Sequence, residues 1–250
     1  MHQLQNEFLS IGVKPIGAEL CSIIDRETQK EYIWQANPEI WANHAPILFP
    51  IIGELKNGSY SFDGKEYSLP RHGFVRHNDK IILKEKTNES LIFFREYSEE
   101  TLKVYPFKFQ LEIQFTLFKK QLEISHRVTN VDDKYIYFSL GGHPAFNVPL
   151  NEGEVYEDHF LQFDKKLDLK THVLNEEGLI TARTTPVTEN DDKIHLHKDL
   201  FNKDALVFKD IQSKKVVLKS KRSGPVLTVE YDDFKNLGLW ANPSCAICLH

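Results

Sequence analysis

The chain has 250 residues, of which 41% are hydrophobic, enough for one substantial core, so a single domain over residues 1–250 is the simplest organisation. Acidic residues outnumber basic ones by 36 to 31 and the formal net charge is −5, with no basic block to track a phosphate backbone, which argues against nucleic acid as a partner. The opening MHQLQNEFLSIGVKPIGAEL lacks a positive region followed by a continuous apolar run, and no stretch approaches the roughly 18 apolar residues of a membrane span, so a soluble cytoplasmic protein with no membrane partner is expected.

Taken in chain order, the first helix candidate is short and lies near NPEIWANHAP, where Asn37 can cap and Pro38 can occupy the first helical position. IILKEKTNESLIFFREY, residues 81 to 97, reads as two short strands around a Thr-Asn-Glu-Ser turn. In FKFQLEIQFTLF, residues 107 to 118, Phe107, Phe109, Leu111, Ile113, Phe115 and Leu117 alternate with polar residues, which predicts a half-buried strand. Strands are also predicted at QLEISHRVTN (121 to 130) and KYIYFSL (134 to 140), and later at FLQFD, ALVFKD, KKVVLKS and PVLTVEYD. Long amphipathic helices are absent, so there are no crossovers for a parallel sheet. The pattern predicts an all-β, mostly antiparallel architecture of packed sheets with few short helices, which a jelly roll, a propeller or a larger sandwich would fit equally well.

Cysteine usage and acceptor motifs add little. Cys21, Cys245 and Cys248 make an odd count, and the one C-x-x-C has no second pair to complete a zinc site, so reduced structural thiols are expected. Asn57-Gly58-Ser59 and Asn88-Glu89-Ser90 fit the glycosylation pattern but, without a secretion signal, read as chance matches.

The chemistry concentrates in two segments. In FSLGGHPAFNVPL, residues 138 to 150, Gly141 and Gly142 end an apolar run without side chains, and Pro144 biases His143 towards extended backbone. A lone histidine there would more simply satisfy a core hydrogen bond beside a glycine bulge. YSLPRHGFVRHND, residues 67 to 79, repeats the arrangement of proline, histidine and glycine at a strand end around His72, so two histidines can converge in one pocket. It also carries Arg71 and Arg76, whose guanidinium forks suit hydroxyl pairs, carboxylates or phosphates, while His77 reads as an exposed turn residue.

Other chemistries find less support. His195 and His197 share one face of a strand at a spacing zinc can use, but their surroundings look solvated and supply no third ligand, so no metal is expected. There is no Gly-x-Ser-x-Gly elbow, no cysteine with a histidine partner, and no Gly-rich phosphate cradle or dinucleotide fingerprint, so no cofactor is expected.

Together ILFPIIGELKNGSYSFDGKEYSLPRHGFVR (47 to 76), SLGGHPAFNVPL (139 to 150) and LGLWANPSCAICL (237 to 249) resemble the aldose 1-epimerase, or galactose mutarotase-like, family, and within it the shorter bacterial LacX-like branch. The resemblance implies a β-supersandwich that opens and recloses pyranose rings of a small-molecule sugar without metal or cofactor. It implies that His143 is the general acid at the ring oxygen and that His72 is its partner near the same oxygen. Arg71, Arg76 and Asp204 become substrate contacts, and Trp240 either lines the cleft against the apolar face of a sugar or serves as core. A homodimer is left open.

The family's base is a glutamate just after a segment like CAICL, whereas here Leu249 is followed by His250. His250, Glu230 and Glu54 are the substitutes considered, and a polypeptide ending at His250 is expected to exchange anomers slowly. The leading function is an aldose 1-epimerase acting on an aldohexose. The alternatives are a non-catalytic carbohydrate-binding or regulatory homologue and a hexose-6-phosphate 1-epimerase, in which the arginines would hold the phosphate.

Overall fold

The computed structural model describes residues 1–241 and 246–249, so Cys245 and His250 lie outside the described residues. It divides into two compact units, Met1–Gln35 with Asn43–His143, and Ala36–Ala42 with Pro144–His250. Both are built almost wholly of antiparallel strands, as the alternating sequence predicted, and no described helix is long and apolar enough to cross a membrane.

The first unit contains a three-stranded sheet of His2–Gln5, Leu9–Val13 and Leu20–Asp25. Its four-stranded sheet runs in the spatial order Gln121–Asn130, Phe109–Phe118, Ser90–Glu96, Ile82–Lys86. The inner strand shows why the sequence folds this way. Phe109, Leu111 and Ile113 are fully buried and Phe115 and Leu117 nearly so, while Gln110, Glu112, Gln114 and Thr116 between them keep partial contact with solvent. A strand puts successive side chains on opposite faces, so period two in the sequence becomes one dry face, each large apolar side chain there contributing about 1.5–3 kcal/mol. Phe107 is buried as well but precedes the strand.

Three local expectations are corrected. Residues 134 to 140 form no strand: the segment joins no ladder, and its Tyr135, Tyr137 and Phe138 side chains stay exposed rather than forming one dry face. Tyr137 rests on Phe62 and Phe107, Phe138 on Phe49, and the Tyr137 carbonyl accepts from the Tyr105 hydroxyl. The Asn37 segment is a single turn rather than a helix. Asn37 caps it as expected, its Oδ1 accepting from the Glu39 N–H at 3.0 Å, but nothing continues the ladder beyond Trp41. A helix lies instead at Glu99–Val104, where Ser98 and Thr101 exchange hydrogen bonds as a capping box and Glu99 and Glu100 occupy the first turn.

The second unit holds a six-stranded sheet, in the order Ala145–Asn147, Ala246–Leu249, Leu237–Trp240, Leu206–Phe208, Lys170–Leu174, Ile180–Pro186. Its four-stranded sheet contains Asp191–His195, His159–Leu167, Lys215–Ser220 and Gly224–Glu230. Cys248 is buried on the strand next to the Ala145–Asn147 edge of the larger sheet, and Cys21 is buried in the first unit with its thiol towards the Gly12 carbonyl at 3.3 Å.

Candidate active site

The two histidines are brought together by a stretch of chain that the sequence did not single out for this role. Residues 45 to 53 run between the His143 segment and the His72 turn and bond to both. On one side, the His143 N–H donates to the Pro46 carbonyl at 3.1 Å, Gly141–Gly142 pair with Ile47–Leu48, and the Ser139 N–H donates to the Pro50 carbonyl at 2.8 Å. On the other, the Phe49 carbonyl accepts from the Phe74 and Val75 N–H groups, and Phe49 bridges Gly73 in parallel. Phe49 itself is fully buried among Phe74, Tyr105, Phe109 and Phe138, so this connecting segment is anchored in the core of the unit.

The result is an imidazole pair with ring centroids 6.0 Å apart at an interplanar angle of 80°. His143 is 8% exposed and follows the short Gly141–Gly142 strand. His72 does not end a strand, as the sequence suggested: Lys65–Ser68 finishes earlier, and His72 occupies a turn at φ 67°. That left-handed backbone is uncommon for a residue with a side chain, and here two bonds to one residue hold it. The His72 N–H donates to the Gly53 carbonyl at 2.8 Å, and the Gly53 N–H donates to His72 Nδ1 at 3.0 Å.

A ring nitrogen that accepts from a backbone amide carries no proton, so neutral His72 holds its single proton on Nε2. Its electrostatics agree. Burial, followed by the positive charge of His143, Arg71 and Arg76, lowers the His72 pKa from 6.5 to about 3. His72 is therefore a neutral hydrogen-bond donor through Nε2 at neutral pH.

Arg71 is exposed and Arg76 half-buried in the short 3-10 turn Val75–His77, and His77 is exposed. Among the described residues the arginine ion pairs are Arg127 with Glu112 and Arg222 with Asp158, and neither involves Arg71 or Arg76. Arg76 Nε is buried without a hydrogen-bond partner among those residues. The site thus offers an imidazole pair beside two arginines that form no ion pair among the described residues.

The sequence model of the aldose 1-epimerase family matches residues 1–246. The chain belongs to the aldose 1-epimerase family. It is 38% identical over 247 residues to protein LacX (plasmid) of Lactococcus lactis subsp. lactis, covering 96% of this chain and 82% of that protein. Among solved structures it is similar to a galactose mutarotase related enzyme from Lactobacillus acidophilus, with 34% identity, a TM-score of 0.91, and coverage of 99% of this chain and 83% of that one. It is also similar to a galactose mutarotase-like protein from Lactobacillus casei ATCC 334, with 28% identity, a TM-score of 0.92, and coverage of 100% and 86%. The all-β fold is therefore of the galactose mutarotase-like kind.

The other candidates of this aldose 1-epimerase family member fall as follows. Asp204 belongs to the second unit, exposed in a turn at φ 87°, and its Oδ1 accepts from the Ala205 N–H at 2.6 Å. Trp240 is half-buried at the end of Leu237–Trp240 and packs at 6.2 Å against Trp41 of the same unit. Glu230 is largely solvated and pairs with Lys215 Nζ at 3.0 Å, whereas Glu54 is half-buried and adjoins Gly53. His195 and His197 are both exposed, and no group of three or more potential metal ligands occurs among the described residues. Pro46, Phe49 and Gly53 were missed as individual site residues because they act through backbone atoms, and only Gly53, before Glu54 in an apolar run, left a visible mark.

The low proton affinity of His72 has a measurable consequence for stability. His126 is likewise held by burial at about 4. Unfolded, both rings take up a proton near pH 6.5; folded, they refuse it until far lower pH. The unfolded state therefore binds more protons, and stability falls as pH drops below 6.5. The slope is at most about 1.4 kcal/mol per pH unit for each ring, and less for the partly exposed His72. Carboxylates with lowered pKa, such as Glu19, contribute only below their unfolded value of 4.5. Urea unfolding at a series of pH values from about 5 to 7 should show this loss, and His72→Asn should flatten it; an unchanged slope in that variant would contradict the neutral His72.

Proposed function

We propose that this protein is an isomerase of the aldose 1-epimerase type, interconverting the α and β anomers of an aldohexose by general acid–base ring opening. The observation that carries the reading is the imidazole pair, 6.0 Å between centroids, with Nδ1 of His72 engaged by Gly53 and its proton left on Nε2. In this reading His143 donates a proton to the ring oxygen while His72 Nε2–H bonds to the same oxygen and stabilises its developing charge. The bond from C1 to the ring oxygen breaks, its electron pair takes the His143 proton, and a base removes the proton of the anomeric hydroxyl, leaving an aldehyde. Rotation about C1–C2 presents the other face, and the reverse transfers close the other anomer. A positioned acid typically contributes about 10² to 10⁴ in rate. Arg71 and Arg76 bind substrate hydroxyls. The base of the family resemblance is a glutamate at the position after Leu249, where this sequence has His250, and the carboxylates considered in its place are Glu54 and Glu230. The family match runs across both units, which supports treating residues 1–250 as one functional domain.

One observation favours a second reading within the same chemistry. Arg71 and Arg76 take no part in the arginine ion pairs among the described residues, so an anionic sugar such as a hexose 6-phosphate would meet unneutralised guanidinium groups. Two-dimensional exchange NMR over galactose, glucose and their 6-phosphates tests both, using the 250-residue chain and one extended by any further C-terminal residues. Faster exchange of free hexoses supports the first reading and selective acceleration of the phosphates the second. Binding without exchange in either chain would favour a non-catalytic sugar-binding protein.

A further inference from the structure

The connecting segment that holds both histidines is itself held at its start by a buried carboxylate. Glu19, 8% exposed between the buried Ala18 and Leu20, directs Oε1 at two consecutive backbone amides, His44 N–H at 2.7 Å and Ala45 N–H at 3.1 Å. Oε2 takes the Lys14 ammonium at 3.1 Å, and Lys14 Nζ lies 3.0 Å from His44 Nδ1. Burial opposes ionisation of Glu19, but hydrogen bonds from the His44 side chain and backbone and from Lys14 hold it at about 2, so it is a carboxylate at any working pH.

The next residue after that splint is Pro46, whose carbonyl accepts the His143 N–H, and a few residues on come Phe49 and Gly53, which fix the His72 turn. The same loop reaches the chain beyond His72 as well. It is closed by the Lys14 N–H donating to the Glu19 carbonyl at 2.8 Å, and its Gly17 N–H donates to the Asn78 carbonyl at 2.9 Å. Gly17 sits at φ 68° so close to Arg76 that a Cβ would lie 2.6 Å from the Arg76 carbonyl oxygen. One loop therefore grips the chain ahead of both histidines and just past the first of them, His72.

We propose that Glu19 is a positioning residue for the imidazole pair: by fixing the His44–Ala45 backbone it sets the segment from which His143 and His72 are both held. The proposal rests on the acid–base reading above for its effect on rate, but the geometry it claims can be read without activity. A carboxylate with two backbone N–H groups on one oxygen and an ammonium on the other is a charge-assisted clamp, and it acts on backbone rather than on one side chain. A shift of the clamped segment moves both histidines, and a misplacement of about 1 Å can cost on the order of 10²-fold in rate.

The test compares Glu19→Ala, Glu19→Gln, Lys14→Gln and a core variant away from the loop, Ile113→Val, each at a temperature where it is fully folded. Three quantities are read: kcat and KM for anomer exchange, the unfolding midpoint, and the ¹⁵N shifts of the His72 ring together with the His143 amide. Glu19→Ala should lower kcat by about tenfold or more with a smaller change in KM, and should shift the His72 ring from its single Nε2–H tautomer towards a mixture. Glu19→Gln keeps an oxygen for both amides and should recover most of the rate. Lys14→Gln should lower the unfolding midpoint while leaving kcat within about twofold, since the amides stay clamped. The proposal is overturned if Glu19→Ala leaves the His72 and His143 signals in place, or if Glu19→Gln is as slow as Glu19→Ala. It also fails if kcat simply follows the unfolding midpoint across the set, Ile113→Val included. If the parent chain exchanges no sugar, the NMR signals alone decide: moved signals uphold the positioning while the enzymatic reading fails.

Discussion

Replacing His143 with asparagine is expected to slow anomer exchange by at least about 10², the lower end of what a positioned acid contributes, while leaving the protein folded. The fold should survive because the hydrogen bonds that tie this segment to the chain around Pro46 are made by backbone atoms. Its N–H donates to the Pro46 carbonyl and the glycines before it pair with Ile47–Leu48, and asparagine keeps both. What is lost is a group able to give a proton to the ring oxygen and recover it within one turnover, since an amide does not titrate in this range. Sugar binding should weaken only slightly. Exchange NMR with the preferred sugar, alongside a thermal melt, checks the result; a folded His143→Asn protein within tenfold of the parent rate would remove His143 from its role.

The second large effect is structural. Gly73→Ala should lower the unfolding free energy by about 2–5 kcal/mol, the sum of roughly 1–2 for a left-handed L-residue and 1–3 for forced overlap. At φ 73° a Cβ on Gly73 would stand 2.2 Å from the Phe49 carbonyl oxygen, 2.5 Å from its carbon and 2.7 Å from Pro50 N. All three are backbone atoms of the segment that carries both histidines, so none can step aside as a flexible side chain would. Gly64 provides the control: it has the same φ of 73° with nothing within 4 Å of the added carbon, so Gly64→Ala should lose only the conformational share. Equal losses in the two variants by chemical denaturation would show that the contact with Phe49 is not tight.

How much of this was legible in the sequence depends on which atoms do the work. Side chains that alternate between core and solvent announce themselves, and the strand Gln121–Asn130 has the bounds its pattern predicts. Both histidines were legible because proline and glycine flank them. Residues 134 to 140 misled because a run of β-branched and aromatic residues reads as a strand, whereas here Tyr135, Tyr137 and Phe138 stay exposed and no ladder forms. Glu99–Val104 was passed over although Ser98 and the two glutamates after it are helix-start signals, since a helix of 6 residues has no amphipathic period to read. The clamp by Glu19 and the carbonyls of Pro46, Phe49 and Gly53 were hidden for a different reason. Backbone atoms serve any side chain, so pattern carries no trace of them, and a lone acid between Ala18 and Leu20 looks like any strand residue until its two amides are seen.

The central claim is that His72 and His143 serve one ring oxygen, and a double-mutant cycle tests it most directly. His72→Asn suits the cycle because asparagine tolerates the left-handed backbone at φ 67° and offers an oxygen to the Gly53 N–H, so only the Nε2 donor is removed. Exchange rates are measured for the parent, His72→Asn, His143→Asn and the double variant with one sugar at saturating and limiting concentrations. Two groups acting on one oxygen give non-additive losses, so the double variant should be little slower than His143→Asn alone, with the His72→Asn loss falling more in binding than in kcat. Losses that multiply in the double variant, or a single variant that leaves the rate unchanged, would contradict it.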